Sequence, residues 1–67
     1  MFQLAENEHI TLIEQIYEKM IFKKLSLSSA ATDIGISRHT LEFFLNKEKR
    51  PQLRTVFLVK AWIEEIK

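Results

Sequence analysis

Cysteine is absent from this chain, so neither a disulfide nor a thiolate metal site can support its fold. A cysteine-free composition fits a reducing compartment, and the expected location is cytoplasmic. The two histidines, His9 and His39, stand far apart without metal-ligand spacing, which argues against zinc. With one glycine and one proline, there is no glycine-rich loop to cradle a phosphate and little to interrupt helices. No apolar run is long enough to span a bilayer, and a start carrying Glu6 and Glu8 does not read as a signal peptide. No serine, histidine and carboxylate fall in a recognisable catalytic arrangement. The expectation is a non-enzyme with no cofactor, no metal and no membrane partner.

What is present is 67 residues, 46% of them apolar, which suits one domain with a single small core. Such a composition favours a folded, helix-rich chain over a disordered one. The net charge of +1 conceals a polarity: residues 1–22 sum to −3, residues 23–60 to +5, and the last seven to −1. A basic middle between acidic ends suits a domain that turns one face to a polyanion, although an ordinary charged helical domain can show it too.

Residues 1–7 carry no firm pattern and read as a loose arm, in which Phe2 and Leu4 either pack back or fray. From Glu8 to about Phe22 the spacing is helical. Ile10, Ile13, Tyr17, Met20 and Ile21 fall on one side, flanked by Leu12 and Ile16, with Glu14, Gln15, Glu18 and Lys19 opposite. Glu14 and Glu18 read as a solvated face, and His9 as a surface residue. Lys23 and Lys24 suit the negative end of this helix's dipole.

The stretch from Leu25 to Asn46 organises the rest. Ser26 is positioned to cap a helix in which Leu27, Ala30, Ala31 and Ile34 recur on one side. Gly35 supplies a left-handed turn that ends it. Ser37 is positioned to cap a second helix, about Arg38 to Asn46, whose inner face is Leu41, Phe44 and Leu45. Small residues at Ala30 and Ala31 let two such short helices cross closely. This is the spacing of a helix-turn-helix.

The agreement of Ala30, Ala31, Gly35, Ile36, Ser37 and Leu41 with one pattern resembles the lambda-repressor/Cro-like (XRE) family of bacterial and phage regulators. The similarity extends through Asn46-Lys47-Glu48-Lys49-Arg50-Pro51-Gln52-Leu53-Arg54-Thr55-Val56 and spans about Ile10 to Ile63. It implies an all-α, compact four- to five-helix bundle over residues 1–67, containing a helix-turn-helix and lambda-repressor-like. The second motif helix would enter the major groove of double-stranded DNA. Arg38, His39 and Phe43 are then expected at base edges, and Thr40 at a base or a phosphate. Ser26, Ser28, Ser37, Asn46, Lys47, Lys49, Arg50 and Arg54 are expected to meet phosphates, giving affinity with little sequence information.

Two positions depart from the family. Phe43 stands where a small or polar residue is more usual, and it fits either a thymine contact or a protein–protein patch. Leu27 replaces a common glutamine that buttresses the DNA backbone contacts.

Pro51 introduces a last helix, Leu53 to about Ile66, that is apolar nearly all round. Leu53, Val56, Phe57, Val59 and Ile63 are assigned to the core. Leu58, Trp62 and Ile66, with Thr55 nearby, form a second stripe read as a homodimer interface with Trp62 as its anchor. The alternatives are that Trp62 folds over the core edge or that the arm covers the stripe. The functional expectation is a small sequence-specific transcriptional repressor of phage or mobile-element type, binding a roughly palindromic site as a homodimer. The other reading is a helix-turn-helix fold serving as a protein-interaction module, such as an antirepressor with a protein partner.

Overall fold

In the computed structural model, which describes residues 6–46 and 48–65, the chain forms four helices in sequence. They are α1 (Glu6–Lys23), α2 (Leu27–Ile34), α3 (Arg38–Phe44) and α4 (Leu53–Ile63). All regular structure among the described residues is helical, and no fifth helix is present there. None of these helices is long and apolar enough to cross a membrane.

The two expected serine caps are formed. Ser26 Oγ accepts from the Ser29 amide at 3.1 Å, and Ser37 Oγ accepts from the Thr40 amide at 3.1 Å. Each such cap contributes about 1 kcal/mol. Helices of this length do not persist alone in water, so burial must hold them. α2 buries Ala30, Ala31 and Ile34, and α3 buries Leu41 and Phe44. Gly35 ends α2 at φ +100°, where its amide and that of Ile36 both donate to the Ala31 carbonyl at 2.9 Å.

The end of α1 uses the same kind of turn with an unexpected residue. Lys24 has φ +57°, its amide donates to Ile21 O, and the Leu25 amide donates to Met20 O at 2.8 Å. This pair of bonds is the one glycine usually closes, and a lysine there costs roughly 1–2 kcal/mol of backbone strain.

One core gathers Leu12, Ile13 and Ile16 from α1, the three α2 residues, Leu41 and Phe44, and Val56, Val59 and Trp62 from α4. Several expectations need correction against it. α1 begins at Glu6, so Glu6 and Asn7 are helical and do not belong to a loose arm; Phe2 and Leu4 lie outside the described residues. Tyr17 and Ile21, assigned to the inner arc, are exposed, Ile21 at 77%. α3 stops at Phe44, short of Asn46, with Leu45 as its cap.

α4 stops at Ile63, with Glu64 capping it, and Ile66 lies outside the described residues. Its buried arc is Thr55, Val56, Val59 and Trp62. At roughly 100° per residue, Leu53 and Phe57 fall to the far side of that arc, and both are exposed rather than core.

The stripe assigned to a dimer is corrected for the same reason. Thr55 and Trp62 are each 4% exposed, and Leu58 is half-buried against the core. These side chains hold their own chain together. Trp62 follows the alternative in which the indole folds over the core edge.

Candidate functional site

Trp62 ties three of the four helices together, α4 to α2 and α1. Its Nε1–H donates to Asp33 Oδ2 at 2.7 Å, tying α4 to the last turn of α2. The Lys19 ammonium lies 4.5 Å from the indole centroid, donates to the Trp62 carbonyl at the end of α4, and pairs with Glu65 at 3.8 Å. Lys23 reaches the same Asp33 oxygen at 3.5 Å. The indole bond is the main cause holding the Asp33 carboxyl below the usual carboxylate range. Partial burial opposes that shift, and Lys23 and Lys19 reinforce it.

His9 performs a second fixing role. It is buried, correcting the surface assignment, and its Nε2 lies 2.7 Å from the Phe44 carbonyl. A carbonyl only accepts, so the proton of this bond is on Nε2. The ring also meets Phe44 edge-on at 5.0 Å. The bond satisfies one of the carbonyls that a helix end leaves unpaired, here at the end of α3. A signal for the burial of His9, though not for its partner, lay in the sequence: it precedes Leu12, Ile13 and Ile16 at helical spacing, on the buried stripe. No comparable signal marks the Asp33–Trp62 pair.

Opposite its buried residues, α3 turns an exposed side outward. Arg38, His39, Glu42 and Phe43 are exposed, and Thr40 is half-buried. Arg38 Nε pairs with Glu42 Oε2 at 3.2 Å across one helical turn. Exposed pairs of this spacing contribute about 0.3–0.5 kcal/mol, so Arg38 is released at little cost. Thr40 Oγ1 and Ser37 Oγ are 2.8 Å apart, which engages both hydroxyls. Phe43 is 38% exposed, with the Lys49 ammonium 5.2 Å from its ring centroid. Such exposed cation–aromatic contacts are worth about 0.5–1 kcal/mol and orient the lysine without burying it.

The loop after α3 is shaped by Asn46, whose Oδ1 accepts from the Glu48 amide at 2.9 Å and whose carbonyl accepts from the Lys49 amide at 3.1 Å. This local turn brings Lys49 back to Phe43. Arg50 and Arg54 are exposed on either side of Pro51 and Gln52. Lys47 lies outside the described residues.

Ser26 is engaged as a cap and bonds Ser29 Oγ at 3.0 Å. Ser28 is exposed beside Thr32 and Asp33 in a shallow depression that also contains Leu25. An anion there faces the Asp33 carboxylate, which makes Ser28 the weakest of the expected phosphate contacts. Among the described residues, no three histidine, aspartate or glutamate side chains gather as a metal site requires.

The candidate surface thus consists of Arg38, His39 and Phe43 on α3, with Lys49, Arg50 and Arg54 beyond its end. It offers donors, cations and one apolar ring, and it lacks a recognisable nucleophile and base pairing for catalysis. No family model, no curated protein and no solved structure matches this chain.

Proposed function

We propose that this protein is a sequence-specific DNA-binding regulator of the lambda-repressor/Cro-like kind, reading the major groove with the outward side of α3. The observation that carries the reading is the exposed side of α3, where Arg38, His39 and Phe43 stand with Lys49 over the Phe43 ring, followed by the exposed Arg50 and Arg54. Arginine and apolar side chains on one helix face suit guanine edges and thymine methyls, and flanking cations suit phosphates. Rigid support of that helix by Ser37, His9 and the buried Leu41 and Phe44 suits readout, which needs fixed geometry. In this reading α2, Gly35 and α3 form the helix-turn-helix, and two copies occupy a two-fold site.

The test is binding of the purified protein to the DNA upstream of its own gene, titrated against salt and random competitor. Tight binding that survives competitor and weakens steeply with salt is expected. Absence of binding at low salt rejects the reading.

A second reading, a protein-interaction module, draws on the end of α1. Ile21 and Phe22 are 77% and 87% exposed there, with Tyr17 one turn earlier. Apolar side chains this exposed suit a protein contact, whether with another copy or with a different partner. Sedimentation of the purified chain together with an Ile21→Lys variant separates these cases: a dimer lost on substitution assigns the surface to self-association.

A further inference from the structure

The outward side of α3 is not flat. Beside it lies a pocket of about 150 Å³, walled by His39, Thr40 and Phe43 from α3 and by Pro51 and Gln52 ahead of α4. Apolar surface predominates in its lining. The Thr40 hydroxyl is already engaged by Ser37. At its edge stands a cation, the Lys49 ammonium over the Phe43 ring, and Arg50 and Arg54 are exposed in the segment that carries Pro51 and Gln52. An apolar hollow with a cation at its edge is complementary to an anionic partner from which a small apolar group projects.

We propose that this pocket receives the 5-methyl group of a thymine presented in the major groove, so that Phe43 selects thymine at one position of the bound site. The proposal rests on the DNA-binding reading and deepens it: of the two uses open to Phe43, it takes the thymine contact over the protein–protein patch and gives the methyl group a place to sit. Thymine is the base whose major-groove edge carries a methyl group. Phosphates on either side of that groove meet Lys49 and the exposed Arg50 and Arg54. A guanine turned toward the same hollow brings no methyl group and sets its O6 and N7 acceptors against a mostly apolar lining, where each is penalised unless His39 or Gln52 donates to it. The volume also fits. One water needs roughly 10–15 Å³ of such space, so the hollow has room for a methyl group.

The experiment begins with selection from a random-sequence duplex library by the purified full chain. Thymines of the selected duplex are then replaced one at a time by deoxyuridine, which lacks only the methyl group. At one thymine of the site, the replacement should weaken binding about four-fold, the effect of withdrawing one buried methyl-sized group. Phe43→Ala should bind the thymine and uracil duplexes equally, and Phe43→Leu should retain part of the preference. Phe43 is partly exposed, and an unchanged thermal melt would show that these variants are folded. Uniform indifference to deoxyuridine overturns the proposal while leaving DNA binding in place, as does a methyl preference that survives Phe43→Ala. Failure to select any duplex at low salt overturns both.

Discussion

Two regions of this molecule combine an aromatic ring, a lysine and a nearby carboxylate, and they put that chemistry to opposite uses. Around Trp62 the ring is 4% exposed, its N–H is held by Asp33, and Lys19 lies against it. Around Phe43 the ring is 38% exposed, Lys49 lies over it in solvent, and the neighbouring Arg38 is held only by an exposed pair with Glu42. The residue types are similar. What differs is whether burial has bound each polar atom to a partner inside the chain. Where it has, the cluster fixes helices to each other; where it has not, the same groups are available to another molecule.

The sharpest way to break that comparison is to truncate the buried ring. Trp62→Ala should cost about 3–5 kcal/mol, measured by chemical denaturation, because it removes a core side chain and leaves a cavity. Comparable stability in the variant would refute the structural role. His9→Ala should rank next, at about 1–3 kcal/mol, by leaving the Phe44 carbonyl buried without its donor. His9→Gln, which can still donate, should recover part of the loss in the same denaturation experiment.

Acid sharpens the comparison without a mutation. Asp33 has its carboxyl held below the ordinary range chiefly by the Trp62 indole bond, so its stabilising effect is complete above the unfolded-state pKa, near 3.8. The effect is lost as pH falls through the lower folded value. Thermal melts between neutral and strongly acid pH should show that loss, and Trp62→Phe should reduce it. The smallest effect belongs to the exposed cluster: Lys49→Ala should change stability by less than about 0.5 kcal/mol. It should nevertheless lower affinity for DNA and flatten its salt dependence, a separation that binding isotherms at several salt concentrations would reveal.

The contrast between the two regions also explains what could be read from the chain alone. Ser26, Gly35 and Ser37 act on neighbours a few residues away, and both caps and the left-handed turn were legible as local signals. The inner faces of α2 and α3 were legible for the same reason, since 3.6-residue spacing places Ala30, Ala31, Ile34, Leu41 and Phe44 on them. The side of α4 that faces inward was not. A helix apolar on nearly every side offers more than one stripe that could face inward, and only packing shows that Trp62 turns in while Phe57 turns out. Asp33 with Trp62, and His9 with Phe44, are joined across 29 and 35 residues, beyond any periodicity. Lys24 was hidden differently. A lysine gives no warning of a left-handed backbone, and the turn it occupies is imposed by the need of α1 and α2 to bury their inner faces in one shared core.

The bond from His9 to Phe44 has a kinetic consequence. It closes a loop of 35 residues, whereas the serine caps of α2 and α3 close loops of three. Long loops lose more chain entropy on closure, and that loss precedes any return from the contact made. The caps can therefore form early, while the last turn of α3 is secured only once α1 has docked. On this loop-closure argument, the surface proposed to meet DNA is expected to be completed late in folding.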